Sequence, residues 1–214
     1  MTIRRGEDWG RVGRAPADLD WFDDDAAAAT AYRDGVRSIG VFGGDLARTL
    51  GVGPETSTGV EATVSFPIDV VELTSSDGRR TVAVAHAVVR SRRWGWWRGP
   101  ILVVMNAQYI GRADVAPRGH PNDGRVDVLE VDTAMSIRQR IMAARRLPIG
   151  AHVPHPLVRT RSLTTTSFVV PPASKVEVDG RPWIDGTSSS EITVTVDVVP
   201  DALHVWIPGV RLDP

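Results

Sequence analysis

Two kinds of residue in this 214-residue chain could bind a charged or amphipathic ligand, and the clearer signal is a run of tryptophan and arginine at positions 90–99. Tryptophan among arginines is typical of membrane interfaces and anionic headgroup sites. The same side chains can stack on nucleobases, or the indoles can pack on a sheet while the arginines reach solvent. The candidate contact residues are Arg92, Arg93, Trp94, Trp96, Trp97 and Arg98.

The spacing of these tryptophans limits how they can be arranged. Side chains alternate along a strand, so three indoles within four positions cannot all face one side. The glycines at 95 and 99 also disfavour a regular strand. We therefore expect at least one indole to be partly exposed, forming a contact surface for anionic lipid or a protein partner.

The second kind of signal is a set of glycine, aspartate and histidine positions with weaker functional meaning. Gly43-Gly44-Asp45 begins a short helical segment whose N–H groups could bind an anion, but Asp45 is predicted to cap that end itself. His152 and His155 lack a third ligand nearby in sequence, which favours a proline-bracketed loop over a metal site. His86 lies in an apolar strand and is predicted to be a satisfied core histidine.

Composition limits the function classes. The formal charge is −1, so no global electrostatic argument supports nucleic acid as a partner. The absence of cysteine excludes disulfides and thiolate chemistry. The amino terminus has no apolar run, and the longest apolar stretches are too short to span a bilayer. We expect a cytoplasmic protein, peripheral to the membrane where the tryptophan run contacts lipid, and compatible with a homodimer.

Periodicity predicts the elements that must position these residues. Residues 1–35 are predicted as an arm and a short helix, and residues 36–214 as one β domain. The clearest helix is 137–147, capped by Ser136 and stopped by Pro148, with Ile137, Ile141 and Ala144 as its apolar stripe. Predicted strands cover residues 38–42, 61–73, 81–90, 101–110, 125–131, 166–170, 176–179, 192–199 and 203–207. The fold class is α+β, mainly β, with a β-sandwich-like body and a few flanking helices.

Four ordered motifs carry a family resemblance. They are Gly43–Gly51, the segment from Asn106 to Val128 with its Asp123-Gly124 turn, Leu147–His152, and Val176–Pro182. In this order they resemble the carboxy-terminal β part of the diacylglycerol kinase and sphingosine kinase family of lipid kinases. The resemblance covers about residue 38 to the end of the chain. It implies a domain whose tryptophan-rich side meets lipid.

The resemblance also implies site residues. By position, a structural magnesium would be held by Asp123 with the backbone near His120 and Arg125, because carboxylate and carbonyl oxygens suit a hard cation. The plain alternative is that Asn122-Asp123-Gly124 is only a tight turn. The remaining family-motif positions are Asp45, Asn106, Asp179 and Arg181.

Departures from the family pattern bear on catalysis. The family's glycine-rich phosphate loop is expected upstream of Gly43, where this sequence has an acidic, alanine-rich segment, so no nucleotide is expected as a cofactor. The position of the proposed general base is Arg181, which cannot accept a proton near neutral pH. Two functions remain: a non-catalytic module that binds lipid or a partner, or half of a split lipid kinase completed in trans. Arg181 favours the first, because a complementing chain would not restore the base.

Overall fold

The computed structural model describes residues 9–53, 63–187 and 189–209. As predicted, the described chain is mainly β, with three α-helices: α1 (Asp25–Arg33), α2 (Gly44–Thr49) and α3 (Ile137–Arg146). The strands are β1 (Arg11–Gly13), β2 (Trp21–Phe22), β3 (Ser38–Val41), β4 (Thr63–Ser75), β5 (Arg80–Ala83), β6 (His86–Ser91), β7 (Ile101–Met105), β8 (Tyr109–Ile110), β9 (Ala113–Asp114), β10 (Val126–Val131), β11 (Val158–Leu163), β12 (Thr165–Val170), β13 (Ser174–Val178), β14 (Arg181–Ile184) and β15 (Ile192–Pro208).

These strands form two large sheets and one small hairpin. In the seven-stranded sheet the two long strands β4 and β15 form the central antiparallel pair. The other edge of β4 pairs with β1 and β5. The other edge of β15 pairs with β3 and β12. β2 extends the sheet beyond β3. The six-stranded antiparallel sheet has the order β11-β10-β7-β6-β13-β14, and β8 and β9 pair separately.

Three apolar layers result from the alternation of side chains along the strands. The middle layer lies between the sheets and includes Val104 of β7 and Val194 of β15. A second layer packs α1 and α2 on the other face of the seven-stranded sheet. The third covers the outer face of the six-stranded sheet, where Val103 and Leu129 lie. The body is a β-sandwich with flanking helices, which confirms the predicted fold class.

The chain passes from one sheet to the other between β5 and β6. Residues 81–90 were predicted as one strand, and that prediction is wrong, because Val84 and Ala85 interrupt the pairing. The backbone N–H groups of Val84, Ala85 and His86 donate to the carboxylate of Asp179, at 2.9, 3.0 and 2.8 Å. A side chain distant in sequence therefore satisfies the donors that the break would leave buried and unpaired.

Asn106 donates hydrogen bonds to the backbone carbonyl groups at the same crossing. Its side-chain amide donates to the carbonyls of Val84 (2.8 Å) and Asp69 (2.9 Å), and its backbone N–H donates to the carbonyl of Ala85 (2.8 Å). Asn106 is itself buried. Two family-motif positions, Asn106 and Asp179, thus have a structural task at the point where the sheets are joined.

The end of the chain also differs from the predicted pattern. Two strands were predicted on either side of Pro200-Asp201, but β15 continues from Ile192 to Pro208. The pairing register with β4 shifts between Val199 and Leu203, where Asp201 has a φ of 52°. A bulge therefore absorbs the turn-forming residues without ending the strand.

The amino-terminal segment contributes to the sheet and the core. Residues 9–24, predicted as part of an arm, contain β1 and β2, and α1 packs in the same apolar layer as β3. The described part of this segment therefore shares its packing with the body, and the domain boundary at residue 36 stays a prediction.

Asp25, not Asp45, caps α2, so the predicted capping role of Asp45 is wrong. The backbone N–H groups of Asp45 and Leu46 donate to the Asp25 carboxylate at 2.6 and 3.1 Å. The Asp45 carboxylate instead accepts from the Gly111 N–H at 2.6 Å, and it lies 3.5 Å from Nδ1 of His86. As predicted, His86 is buried in the core, but its Nδ1 has no hydrogen-bond partner among the described residues, so the prediction of a satisfied histidine is wrong for that atom.

Burial, together with the nearby negative charge of Asp179, raises the pKa of Asp25 to about 7, against the two hydrogen bonds that favour ionisation. Because the folded pKa lies above the unfolded value, this group stabilises the fold below about pH 4 and loses that contribution as pH rises towards 7. We expect the free energy of unfolding to fall between pH 5 and pH 7.

The Asp25→Asn variant tests this pH dependence. Its free energy of unfolding, measured by denaturant titration, is expected to change less with pH than that of the wild type, by up to about 1.4 kcal/mol per pH unit. Comparing the slopes of the free energy of unfolding against pH separates the titration of Asp25 from the loss of the helix cap. Asp34→Asn, at the exposed end of α1, is the control for an Asp-to-Asn substitution. Equal slopes in wild type and Asp25→Asn would contradict the raised pKa.

Candidate functional site

An apolar pocket lies on the outer face of the six-stranded sheet, beneath α3. Its volume is about 370 Å³. Among the described residues that line it, Arg140 and His152 carry the ionisable side chains, and the rest of the wall is aliphatic or indole. The wall is formed by Trp96, Trp97, Ile101, Val103, Ile110, Ala113, Val115, Leu129, Val131, Met135, Ala143, Ala144, Leu147 and Val158.

The tryptophan run lies beside this pocket. Trp94, Trp96 and Trp97 are 47, 40 and 49% exposed, which confirms the expected exposure of at least one indole. Trp96 and Trp97 also line the pocket, so they contact both the apolar interior and solvent. Such half-exposed indoles are suited to an interface between apolar and aqueous surroundings.

The predicted arginines divide between ring contacts and solvent. Arg93 and Arg98 place their guanidinium groups 5.2 and 5.1 Å from the ring centre of Trp94. Arg90, which was not among the predicted contact residues, lies 5.3 Å from the Trp96 ring. Arg92 is exposed. The run therefore presents cations and indoles together, and its contact with lipid or a partner stays a prediction.

Arg140 of α3 anchors the tryptophan run, and the sequence analysis missed it. Arg140 is 5% exposed, and its guanidinium donates to the carbonyls of Trp96 (3.1 Å) and Gly99 (2.7 Å). It also donates to the carbonyls of Met135 (3.1 Å) and Asp132 (3.3 Å) on the segment before α3. One side chain thus links both sides of the pocket mouth, and burial lowers its pKa.

The outer face of α3 is apolar and basic. The helix begins at the predicted Ser136 cap, which forms a capping box with Gln139. Its predicted apolar stripe, however, faces outward at Ile137 and Ile141, which are 39 and 38% exposed, while Arg140 faces the core. Exposed side chains that share this outer surface are Arg138, Met142, Arg145 and Arg146.

His152 lies in the wall of the pocket and is 5% exposed. Neither of its ring nitrogens has a hydrogen-bond partner among the described residues. Burial lowers the pKa of His152, and the nearby Val115 backbone and Asp114 charge oppose this only in part. The interpretation of His152 as an ordinary loop residue did not anticipate its burial, because its neighbours in the pocket come from distant strands.

The predicted magnesium position is a turn supported by Asp69, another residue that sequence reasoning missed. Asp69 is buried and accepts from the backbone N–H groups of Gly124 (2.6 Å) and Asp201 (2.9 Å). The Asp123 carboxylate accepts from the Arg125 N–H at 3.0 Å. Burial raises the pKa values of both Asp69 and Asp123 to about 6.

The donor chemistry of this turn fits a hard cation. Asp123 offers a half-buried carboxylate whose pKa is also raised by the charges of Asp127 and Asp69, and a cation would relieve that repulsion. The described chain contains no cluster of three histidine, cysteine or acidic side chains arranged to hold a metal. A magnesium here would therefore depend on backbone oxygens of His120 and Arg125, and it stays a prediction.

The family-motif positions converge on one buried cluster. Asp45 and His86 are neighbours, and Asp179 binds the backbone of His86. Arg181 lies at the rim, 70% exposed, with its guanidinium 2.6 Å from the Asp24 carboxylate. These contacts tie the amino-terminal helix to the hairpin of β13 and β14.

Removing Arg140 is expected to destabilise the protein. In Arg140→Ala, four buried or half-buried carbonyls lose their donor, and a loss of about 3 kcal/mol in the free energy of unfolding is expected. Arg138→Ala on the exposed side of the same helix is the matched control, expected to stay within about 0.5 kcal/mol of wild type. Denaturant titration measures both, and equal stability of the two variants would contradict the anchoring role.

Chelation tests the turn at Asp123. If it holds a divalent cation, exhaustive dialysis against chelator is expected to lower the melting temperature, and Asp123→Ala is expected to abolish that response. A site at a hundredfold excess of ligand over its dissociation constant adds about 2.7 kcal/mol. Restoring magnesium should restore the melting temperature of the wild type alone. A melting curve unaffected by chelator would leave the simple turn as the account of Asn122-Asp123-Gly124.

No segment that could cross a bilayer as a helix is found in the described residues.

Comparison with known proteins identifies the β body. Residues 80–207 match the YegS C-terminal NAD kinase beta sandwich-like domain, and they make up more than half of the chain. No curated protein matches the sequence.

Two crystal structures assigned as diacylglycerol kinases from Bacillus anthracis str. Sterne are similar to the chain. One is 12% identical with a TM-score of 0.47, over 85% of this chain and 81% of the other. The second is 13% identical with a TM-score of 0.46, over 85% and 80% of the two chains. The match over residues 80–207 confirms the family recognised from the sequence motifs. The chain belongs to the YegS C-terminal NAD kinase beta sandwich-like domain family.

Proposed function

We propose that this protein is a non-catalytic lipid-binding member of its family, which contacts anionic membranes through the tryptophan run and α3. The observation that carries the proposal is the apolar pocket with Trp96 and Trp97 in its wall, both half-exposed. A soluble protein seldom exposes adjacent large apolar side chains without a binding role. The pocket volume of about 370 Å³ lies within the range of about 300–1,000 Å³ typical of small-ligand sites.

Charge around the pocket supports an anionic surface as the partner. The chain has a formal charge of −1, yet the tryptophan run and α3, which both contribute to the pocket wall, carry several exposed arginines. The exposed arginines of this surface are Arg92, Arg93, Arg98, Arg138, Arg145 and Arg146. Basic side chains next to exposed apolar ones are typical of segments that lie in the plane of a membrane interface.

The residues at the family's catalytic position support a non-catalytic role. Arg181 cannot serve as a general base, and its guanidinium is paired with Asp24. Asp179 is fully engaged, since its two carboxylate oxygens accept three backbone N–H groups. A split kinase completed by another chain would still lack a base at position 181, so this alternative has less support.

Vesicle co-sedimentation tests the proposal. The protein is expected to sediment with vesicles of phosphatidylcholine and phosphatidylglycerol, and more weakly with phosphatidylcholine alone. The Trp96→Ala/Trp97→Ala variant is expected to lose binding by about tenfold, or ~1.4 kcal/mol. Added salt should weaken the anionic component, because the arginines are exposed.

Phe42→Ala is the matched control, because Phe42 is 39% exposed and directly follows β3 of the seven-stranded sheet. It should bind vesicles like the wild type. Equal sedimentation of all three proteins, or of none, would contradict the lipid-binding role. Saturable, magnesium-dependent ATP binding by this chain in a calorimeter would contradict the non-catalytic assignment.

A further inference from the structure

The pocket contains an unsatisfied hydrogen-bonding group. His152 is 5% exposed and lines the pocket, and both of its ring nitrogens lack a hydrogen-bond partner among the described residues. A buried polar group without a partner destabilises the fold, because it has lost its hydrogen bonds to water. Such an arrangement is tolerated where a ligand supplies the missing partner, and the remainder of the wall around His152 is apolar.

The same pocket contains a buried cation without an anion. Arg140 satisfies its guanidinium with backbone carbonyls alone. No carboxylate among the described side chains forms an ion pair with it, and burial is the cause that lowers its pKa. A buried positive charge balanced only by dipoles favours an anion in its vicinity, because the local dielectric constant is low.

We propose that the pocket binds a single-chain fatty acid, with its hydrocarbon chain along the apolar wall and its carboxyl group hydrogen-bonded to His152 in the field of Arg140. A neutral imidazole keeps one N–H, which donates to a carboxylate oxygen. Asp114 does not line the pocket, although its neighbours Ala113 and Val115 do. The charge of Asp114 acts on His152 from outside the pocket, so the ligand's carboxylate would meet the imidazole from the pocket side.

Pocket size and surroundings favour one chain over two. A volume of about 370 Å³ is near the lower end of the range of about 300–1,000 Å³ for small-ligand sites. The arginines around the mouth attract an anionic ligand and repel a cationic one. This inference deepens the proposed function and rests on it for the identity of the pocket as a lipid site.

Calorimetric titration with matched ten-carbon probes tests the headgroup. Decanoate and methyl decanoate have the same nine-carbon alkyl chain, that of decyltrimethylammonium is one carbon longer, and all three are used below their micelle concentrations. Decanoate is expected to bind about tenfold more tightly than the other two, equivalent to ~1.4 kcal/mol. Equal affinity for the three probes would overturn the assigned headgroup chemistry.

Two variants locate the site. His152→Phe keeps an aromatic ring without hydrogen bonding, and it is expected to lose the tenfold preference for decanoate over its methyl ester while still binding the ester. Ala144→Trp places an indole at an exposed position of the pocket wall, where folding is not threatened, and should abolish binding of all three probes. Unchanged decanoate affinity in either variant would overturn the proposal.

The vesicle experiment separates this inference from the proposed function. If wild-type protein sediments with anionic vesicles but shows no preference for decanoate, the fatty-acid site is wrong and membrane binding stands. If the protein binds neither vesicles nor decanoate, both proposals are wrong.

Discussion

The carboxylate of Asp179 holds together the point at which one sheet becomes the other. The run from β5 to β6 leaves the seven-stranded sheet and enters the six-stranded one within two residues, and its N–H groups would be buried without partners there. Asp179 accepts from all three of them, and Asn106 donates to the carbonyl of Val84. Each unpaired buried group would cost about 1–3 kcal/mol. Two residues that the family resemblance marked as motif positions are therefore explained by the architecture, independently of any catalytic role.

This crossing also shows where sequence reasoning ends. The Ser136 cap was predictable, because local residue types determine it. The apolar alternation of 81–90 predicted one strand, since the acceptor that interrupts it is Asp179, far along the chain. The bulge in β15 was not predicted, because Pro200-Asp201 indicates a turn locally. Pairing with β4, which the local sequence does not show, keeps the strand continuous.

The candidate site was predictable in its exposed part and not in its interior. The tryptophan run at the pocket mouth was identified from the sequence, because interleaved arginine and tryptophan are an unusual composition. The buried Arg140 could not be identified, because arginine in a helix usually faces solvent and its four acceptors lie on two separate segments. Arg140 is buried while Ile137 and Ile141 are 39 and 38% exposed, so α3 reverses the usual placement of a cation and part of an apolar stripe.

The order of strands has a consequence for synthesis on the ribosome. β15 lies in the middle of the seven-stranded sheet and pairs along the whole of β4, yet every strand of the six-stranded sheet lies between them in the chain. The edge of β4 that pairs with β15 therefore stays unpaired while the six-stranded sheet is translated. An unpaired strand edge is a template for association with other chains. The nascent protein is accordingly most exposed to aggregation, and most in need of a chaperone, during translation of its second sheet.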